Sequence, residues 1–102
     1  MSKKIKLENF VCIYYTRPDD WTYYEIQKNW HWIQWWHDKE WNPKKIAMEN
    51  LIYAMIYDKK HNEMMKIYKK TNDYWLAWEI LKKSETFEKI ENEKNLLLTY
   101  NL

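Results

Sequence analysis

Glycine is absent from this 102-residue chain, so every tight turn has to be built from Asn, Asp, Pro or Ser. Its absence also excludes the common phosphate-cradling loops, which need glycine for close backbone approach, and nucleotide-fold readings fall with them. The one cysteine, Cys12, has no second thiol in the chain to pair with. Arginine occurs once, at Arg17, and the formal net charge of +2 rests almost wholly on lysines interrupted by Asp and Glu. Binding to a phosphate backbone scales with the number of aligned cations, so the pairs Lys44-Lys45, Lys59-Lys60, Lys69-Lys70 and Lys82-Lys83 read as solvated faces. No apolar run of signal-peptide or membrane-span length follows the basic start "MSKKIK", so no membrane partner is expected and the default location is intracellular.

What is present is aromatic. The chain holds eight Trp and nine Tyr, with 46% hydrophobic and 31% charged residues, a balance that suits a single folded domain over 1–102. That many rings with polar tips exceeds the needs of a core this small. The segment "VCIYYTRPDDWTYYEIQK" (11–28) recurs as "MKIYKKTNDYWLAWEILK" (65–82), with identities at Ile13/Ile67, Tyr14/Tyr68, Asp19/Asp73, Trp21/Trp75, Glu25/Glu79, Ile26/Ile80 and Lys28/Lys82. Each copy sets β-branched and aromatic residues on both sides of a short break, which predicts a hairpin with strands near 10–16 and 21–27 and a second near 64–70 and 75–81.

With tight turns at Pro18-Asp19 and Asn72-Asp73, Tyr14 falls opposite Tyr23, Cys12 opposite Glu25 and Lys66 opposite Glu79. Alternation then assigns Val11, Ile13, Tyr24 and Ile26, with Met65, Ile67, Trp78 and Ile80, to a core face. Tyr14, Trp21 and Glu25, matched by Tyr68, Trp75 and Glu79, share the other. Helical spacing follows each hairpin. Ser84 is a good N-cap ahead of Glu85 and Glu88 with an apolar stripe of Phe87 and Ile90, and Ile33 and Trp36 take the equivalent places after the first hairpin. Trp30, Trp32, Trp35 and Trp41 add more apolar surface there than one hairpin can cover. Asn42-Pro43 caps and starts a helix over about 43–60, apolar nearly all round through "LIYAMIY" and expected to be buried. The uncharged tail 96–102 docks as a strand or prolongs the last helix.

The expected architecture is α+β: two similar hairpin-plus-helix units, 8–41 and 63–95, related by an approximate two-fold axis with a linking helix between them and an aromatic groove where they meet. Its use is read as protein interaction, an extended polypeptide segment lying in the groove, because Trp and Tyr dominate binding hot spots and a hairpin edge accepts an added strand. The candidate partner-binding residues are Tyr14, Trp21, Glu25, Tyr68, Trp75, Glu79 and the surplus Trp30, Trp32, Trp35 and Trp41. The alternative is a weak, sequence-tolerant binder of single-stranded nucleic acid, with bases stacking on Tyr14, Trp21, Tyr68 and Trp75 beside Lys66 and Lys70.

Chemistry finds little footing. His31 and His37 are six apart, which separates them around a helix, and with His61 and one cysteine they give no metal-ligand spacing. Cys12, with an acidic neighbour expected, reads as an inert thiol. Glu25 and Glu79 could pair as acid and base, but each has a structural duty as a cross-strand or lysine partner. No enzyme, metal or cofactor is expected. The glycine-free text, rich in Lys, Ile, Tyr and Asn, resembles the small orphan proteins of filamentous viruses that infect hyperthermophilic archaea such as Acidianus. That resemblance implies a soluble protein of unassigned function in the host cytoplasm, with no catalytic residues to carry over.

Overall fold

Threonine, valine, isoleucine and tyrosine fill residues 10–16 and 22–28, and both segments are strands, as β-branched and aromatic side chains favour. In the computed structural model, which describes residues 2–39 and 41–101, the elements run β1 (Lys3–Leu7), β2 (Phe10–Thr16), β3 (Thr22–Lys28), β4 (His31–Asp38), α1 (Pro43–Thr71), α2 (Tyr74–Lys82) and α3 (Glu85–Asn101). The strands form one antiparallel meander in the order β1-β2-β3-β4. The class is therefore α+β. Two compact units divide the chain, one of residues up to Ile52 with Asn101 and one of Tyr53–Tyr100.

Three glycine-free turns join the strands. Asn29-Trp30 has positive φ at both residues (50° and 71°), the type I′ pattern that suits a twisted hairpin, and Glu8 takes φ 55° in the two-residue β1–β2 turn. Between β2 and β3 the loop is longer than a two-residue turn. Asp20 N–H donates to the Arg17 carbonyl at 3.0 Å, Arg17 N–H to the Trp21 carbonyl at 2.8 Å, and Asp20 itself sits at φ 70°. That is a three-residue loop whose last residue is left-handed, and it adds one position to the connection.

The added position corrects the expected register. Thr16 pairs with Thr22, Tyr14 with Tyr24 and Cys12 with Ile26, so every β2 side chain is on the opposite face from the one read with a Pro18-Asp19 turn. Phe10, Cys12 and Tyr14 are buried with Thr22, Tyr24 and Ile26, and Ala47, Leu51 and Ile52 of α1 are the other buried residues of this unit. The rings of Tyr14, Tyr24 and Trp36 form a stacked row on this inner face, with centroids 6.0 and 4.8 Å apart. Val11 and Ile13, expected in the core, are half-buried on the outer face.

Residues 65–82, the supposed second hairpin, are helical, so the two-fold repeat is overturned. Met64, Met65, Ile67 and Tyr68 recur at three- and four-residue spacing, and Met65, Lys70, Leu76 and Ala77 favour helix where the first copy has Val11, Thr16, Thr22 and Tyr23. Asn72 and Asp73 do break the chain, but between helices. Asn72 closes α1 in the left-handed conformation (φ 57°), its N–H on the Tyr68 carbonyl at 2.8 Å, and the Asp73 carboxylate caps α2 by accepting from Leu76 N–H at 3.1 Å. The helix predicted around Trp30–Trp41 is likewise replaced, by β4.

The other helix signals stand. Asn42 caps α1 through Lys45 N–H at 3.3 Å, and Ser84 caps α3 through Phe87 N–H at 3.2 Å. However, α1 continues well past residue 60, and it is buried along a stripe through Ala47, Leu51, Ile52, Met55, Ile56 and Met64 while Tyr53 and Tyr57 are exposed, so it is not buried on several sides. The tail through Asn101 prolongs α3, and Leu102 lies outside the described residues. In the second unit Met64, Ala77 and Leu81 form a core with Tyr68, Trp78 and Phe87 against it. Lys59–Glu93 and Lys60–Glu91 ion pairs link α1 to α3, with Lys94 also on Glu91 at 2.7 Å. The two lysines hold the Glu91 carboxyl below its ordinary range.

Candidate functional site

The outer face of the sheet is laid out by the strand register in three rows running from β1 to β4. The first, across β2, β3 and β4, is Tyr15, Tyr23, His37; the second is Lys4, Ile13, Glu25, Trp35; the third is Lys6, Val11, Gln27, Trp32. Lysines thus stand on one flank, aliphatic side chains in the middle and rings on the other flank. Tyr23 is the centre of the aromatic cluster, with ring centroids 5.3 Å from Tyr15, 6.3 Å from Trp35 and 5.4 Å from His37, while Trp35 meets His37 edge-on at 5.5 Å. Burial is the main cause that raises the Tyr23 phenol above its ordinary range, followed by the nearby Glu25 carboxylate. Gln27 donates to the Glu25 Oε2 at 3.2 Å.

At the end of the sheet where the β1–β2 and β3–β4 turns lie side by side, joined by Asn29 N–H to the Asn9 carbonyl at 3.1 Å, there is a cavity of about 470 Å³. Lys4, Lys6, Val11, Ile13 and Gln27 line it, with Trp30 at its rim. Trp30 is 93% exposed yet held at φ 71°, a conformation that a bulky side chain adopts only at a cost.

The two edges of the sheet differ. β1, KKIKL, carries three lysines, a usual protection against edge-to-edge pairing. β4, HWIQWWHD, has neither lysine nor proline. A bulge falls on β4, because Ile26 pairs with Gln34 and Gln27 with Trp32, leaving Ile33 as the extra residue. Residues 34–38 beyond the bulge remain a regular edge.

The ten residues proposed from sequence are dispersed by this fold. Trp30, Trp32, Trp35 and Trp41 are exposed at 93%, 53%, 52% and 92%, and Glu25 belongs to the outer face. Tyr14 does not, since it is buried in the inner row, and Trp21 sits at the end of the β2–β3 loop. Tyr68 packs on the second unit's core, Trp75 is exposed on α2, and Glu79 of α2 faces Lys82 at 3.7 Å. The second set therefore has no geometric equivalence with the first. Tyr15, Tyr23, His37, Lys4 and Lys6 were not among the sequence candidates. Their signal was the odd loop length, which decides which ring of Tyr14-Tyr15 faces out.

Among the described residues no three of His, Cys, Asp and Glu are grouped as a metal site needs. Among the described residues no helix is long and apolar enough to cross a membrane. Cys12 is buried, and desolvation raises its thiol to about 12, against a smaller lowering by a backbone hydrogen bond at Glu25. The unfolded thiol titrates near 9.0, so the folded state holds this proton more tightly; the contribution is complete below pH 9 and is lost as pH rises through the interval to about 12. The melting temperature is expected to fall above pH 9 and to fall less steeply in Cys12→Ala, as followed by circular dichroism; equal slopes in the two proteins would contradict the assignment.

No family model matches this chain, and comparison with curated proteins and with solved structures finds no match either.

Proposed function

We propose that this protein binds an extended polypeptide segment by strand addition at residues 34–38 of β4, with the indoles beside that edge as its anchors. The observation that carries the reading is the pairing of an edge without lysine or proline with rings the unit's own core does not use. Added strands gain affinity from backbone hydrogen bonds and specificity from alternate side chains, and Trp and Tyr are the residues on which binding energy concentrates. Trp32 and Trp35 stand on the outer face of the receiving strand itself. The segment 65–82, once expected to supply the other wall of a groove, is helical, so the reading rests on the first unit alone.

The competing reading, single-stranded nucleic acid stacked on the same rings, is disfavoured by Glu25 in the middle of the aromatic flank. The lysines of the outer rows, Lys4 and Lys6, are on the far strand. A phosphate chain crossing the rings would meet a carboxylate before it met a cation.

The test uses the whole chain, isotopically labelled, and an eight-residue peptide that alternates threonine and valine around one central arginine. Amide shifts confined to β4 and its neighbour β3 are expected, with Trp35→Ala weakening binding by about 2 kcal/mol, roughly thirtyfold. A thymidine oligonucleotide that perturbs the same amides more tightly than the peptide, with an affinity that collapses in salt, would replace this reading with the competing one.

A further inference from the structure

Glu25 is half-buried in the centre of the outer face. Several carboxylates of this protein meet cations, Asp19 with Arg17, Glu63 with Lys66, Glu79 with Lys82, Glu91 with Lys60 and Lys94, Glu93 with Lys59, and Glu25 is among those that do not. Among the described residues no cation is bonded to Glu25, whose neighbours across the strands are Ile13 and Trp35 and whose hydrogen bond comes from the neutral Gln27 amide. A carboxylate set between an aliphatic side chain and an indole face gives up some hydration, and a cation that arrives with a ligand restores the balance.

We propose that this site selects a strand carrying lysine or arginine, and that the cation lies over Trp35 and ends on Glu25. The inference rests on strand addition at β4 and specifies the chemistry of the added strand. The geometry follows from the row Lys4, Ile13, Glu25, Trp35. A strand added outside β4 lies about 4.8 Å from it and about twice that from β3, and its side chain opposite Trp35 points to the outer face. An arginine or lysine there has to cross the indole to reach the carboxylate. Its methylene stem covers the ring, its charge is attracted by the ring face, and its head group donates to the oxygen of Glu25 that Gln27 leaves unoccupied. Tyr23 and His37 border the same space and close off its side. A shorter or neutral side chain at that position would leave Glu25 as it is now.

The complementarity is local. The protein as a whole carries a net positive charge, which opposes any general attraction of a basic peptide. A preference for a cation must therefore come from Glu25 and the rings around it.

The experiment compares three eight-residue threonine/valine peptides with arginine, leucine or glutamate at the central position, titrated into the labelled protein and into Glu25→Gln. The arginine peptide is expected to bind the native protein about fivefold more tightly than the leucine peptide, with the glutamate peptide weakest. Glu25→Gln is expected to remove the advantage of the arginine peptide over the leucine peptide. Equal binding of all three along β4 would overturn the cation site and leave strand addition intact. Shifts nowhere on β4 with any peptide would overturn both. An arginine preference that persists in Glu25→Gln would place the cation on another group and refute this assignment.

Discussion

Tyr14→Ala is expected to lower the stability of the protein by about 3–5 kcal/mol, whereas Tyr15→Ala, one residue further on, is expected to cost about 1 kcal/mol or less. The two side chains are chemically identical and adjacent, so the difference isolates the face on which each stands. Tyr14 is 5% exposed and stacks on Tyr24 in the inner row; Tyr15 is 39% exposed and leans on Tyr23 in the outer one. Removing the first ring leaves a cavity beside Tyr24 that close-packed neighbours fill only in part, while removing the second mostly returns surface to water. Urea unfolding of the two variants measures the difference. A reversed order would restore the two-residue turn at Pro18-Asp19 and turn β2 over, taking the outer rows apart.

Trp30→Gly should stabilise the fold, by about 1 kcal/mol. Both residues of the β3–β4 turn have positive φ, and the second is where Asn-Gly hairpins place glycine. Glycine takes that conformation without a clash against Cβ, and the indole it removes is almost wholly in water, so no core packing is lost with it. A bulky residue kept at such a place is consistent with a duty outside folding. Thermal unfolding should register a rise of about 4–8 °C if the unit melts as a small domain. A fall in stability would show that the Trp30 indole packs on the fold rather than standing in solvent.

How much of this was legible beforehand varied with the kind of signal. Two caps were read correctly, each a short polar side chain ahead of an apolar stripe: Asn42 with Pro43 and Ser84 before Glu85 each begin a helix. The first hairpin was legible from its β-branched run. Its register was not, because Asp20 fills a left-handed position that glycine would ordinarily advertise, and the loop therefore looked one residue shorter than it is. The repeat misled for a related reason. Seven identities align the two segments, but identities at Ile, Tyr, Trp and Glu are compatible with either backbone, and the residues that differ decide: Val11, Thr16 and Thr22 in one, Met65, Lys70 and Leu76 in the other. Asn-Asp likewise signals a break without saying what it breaks, and here it ends one helix and starts the next. β4 was hidden by its tryptophans, since a run of Trp with one bulge mimics helical spacing more closely than strict alternation. β1 went unread because the basic start was weighed only as a possible targeting segment, when its lysines are the charged edge of the sheet.

Six tryptophans were named as binding residues before their place was known, and Trp21, Trp30, Trp32, Trp35, Trp41 and Trp75 are all exposed. Their surplus over core needs was a matter of counting. That Trp32 and Trp35 share a face with Glu25, and that the strand bearing them ends the sheet, follow only from pairing.

The most direct measurement of strand addition is an isotope-filtered search for contacts between α-protons of the arginine peptide and those of the labelled protein. Cross-peaks to residues 34–38, in the alternating pattern of a fifth antiparallel strand, are the predicted result. Cross-peaks to β1 instead, or to side chains alone with no α-proton contact to β4, would contradict it.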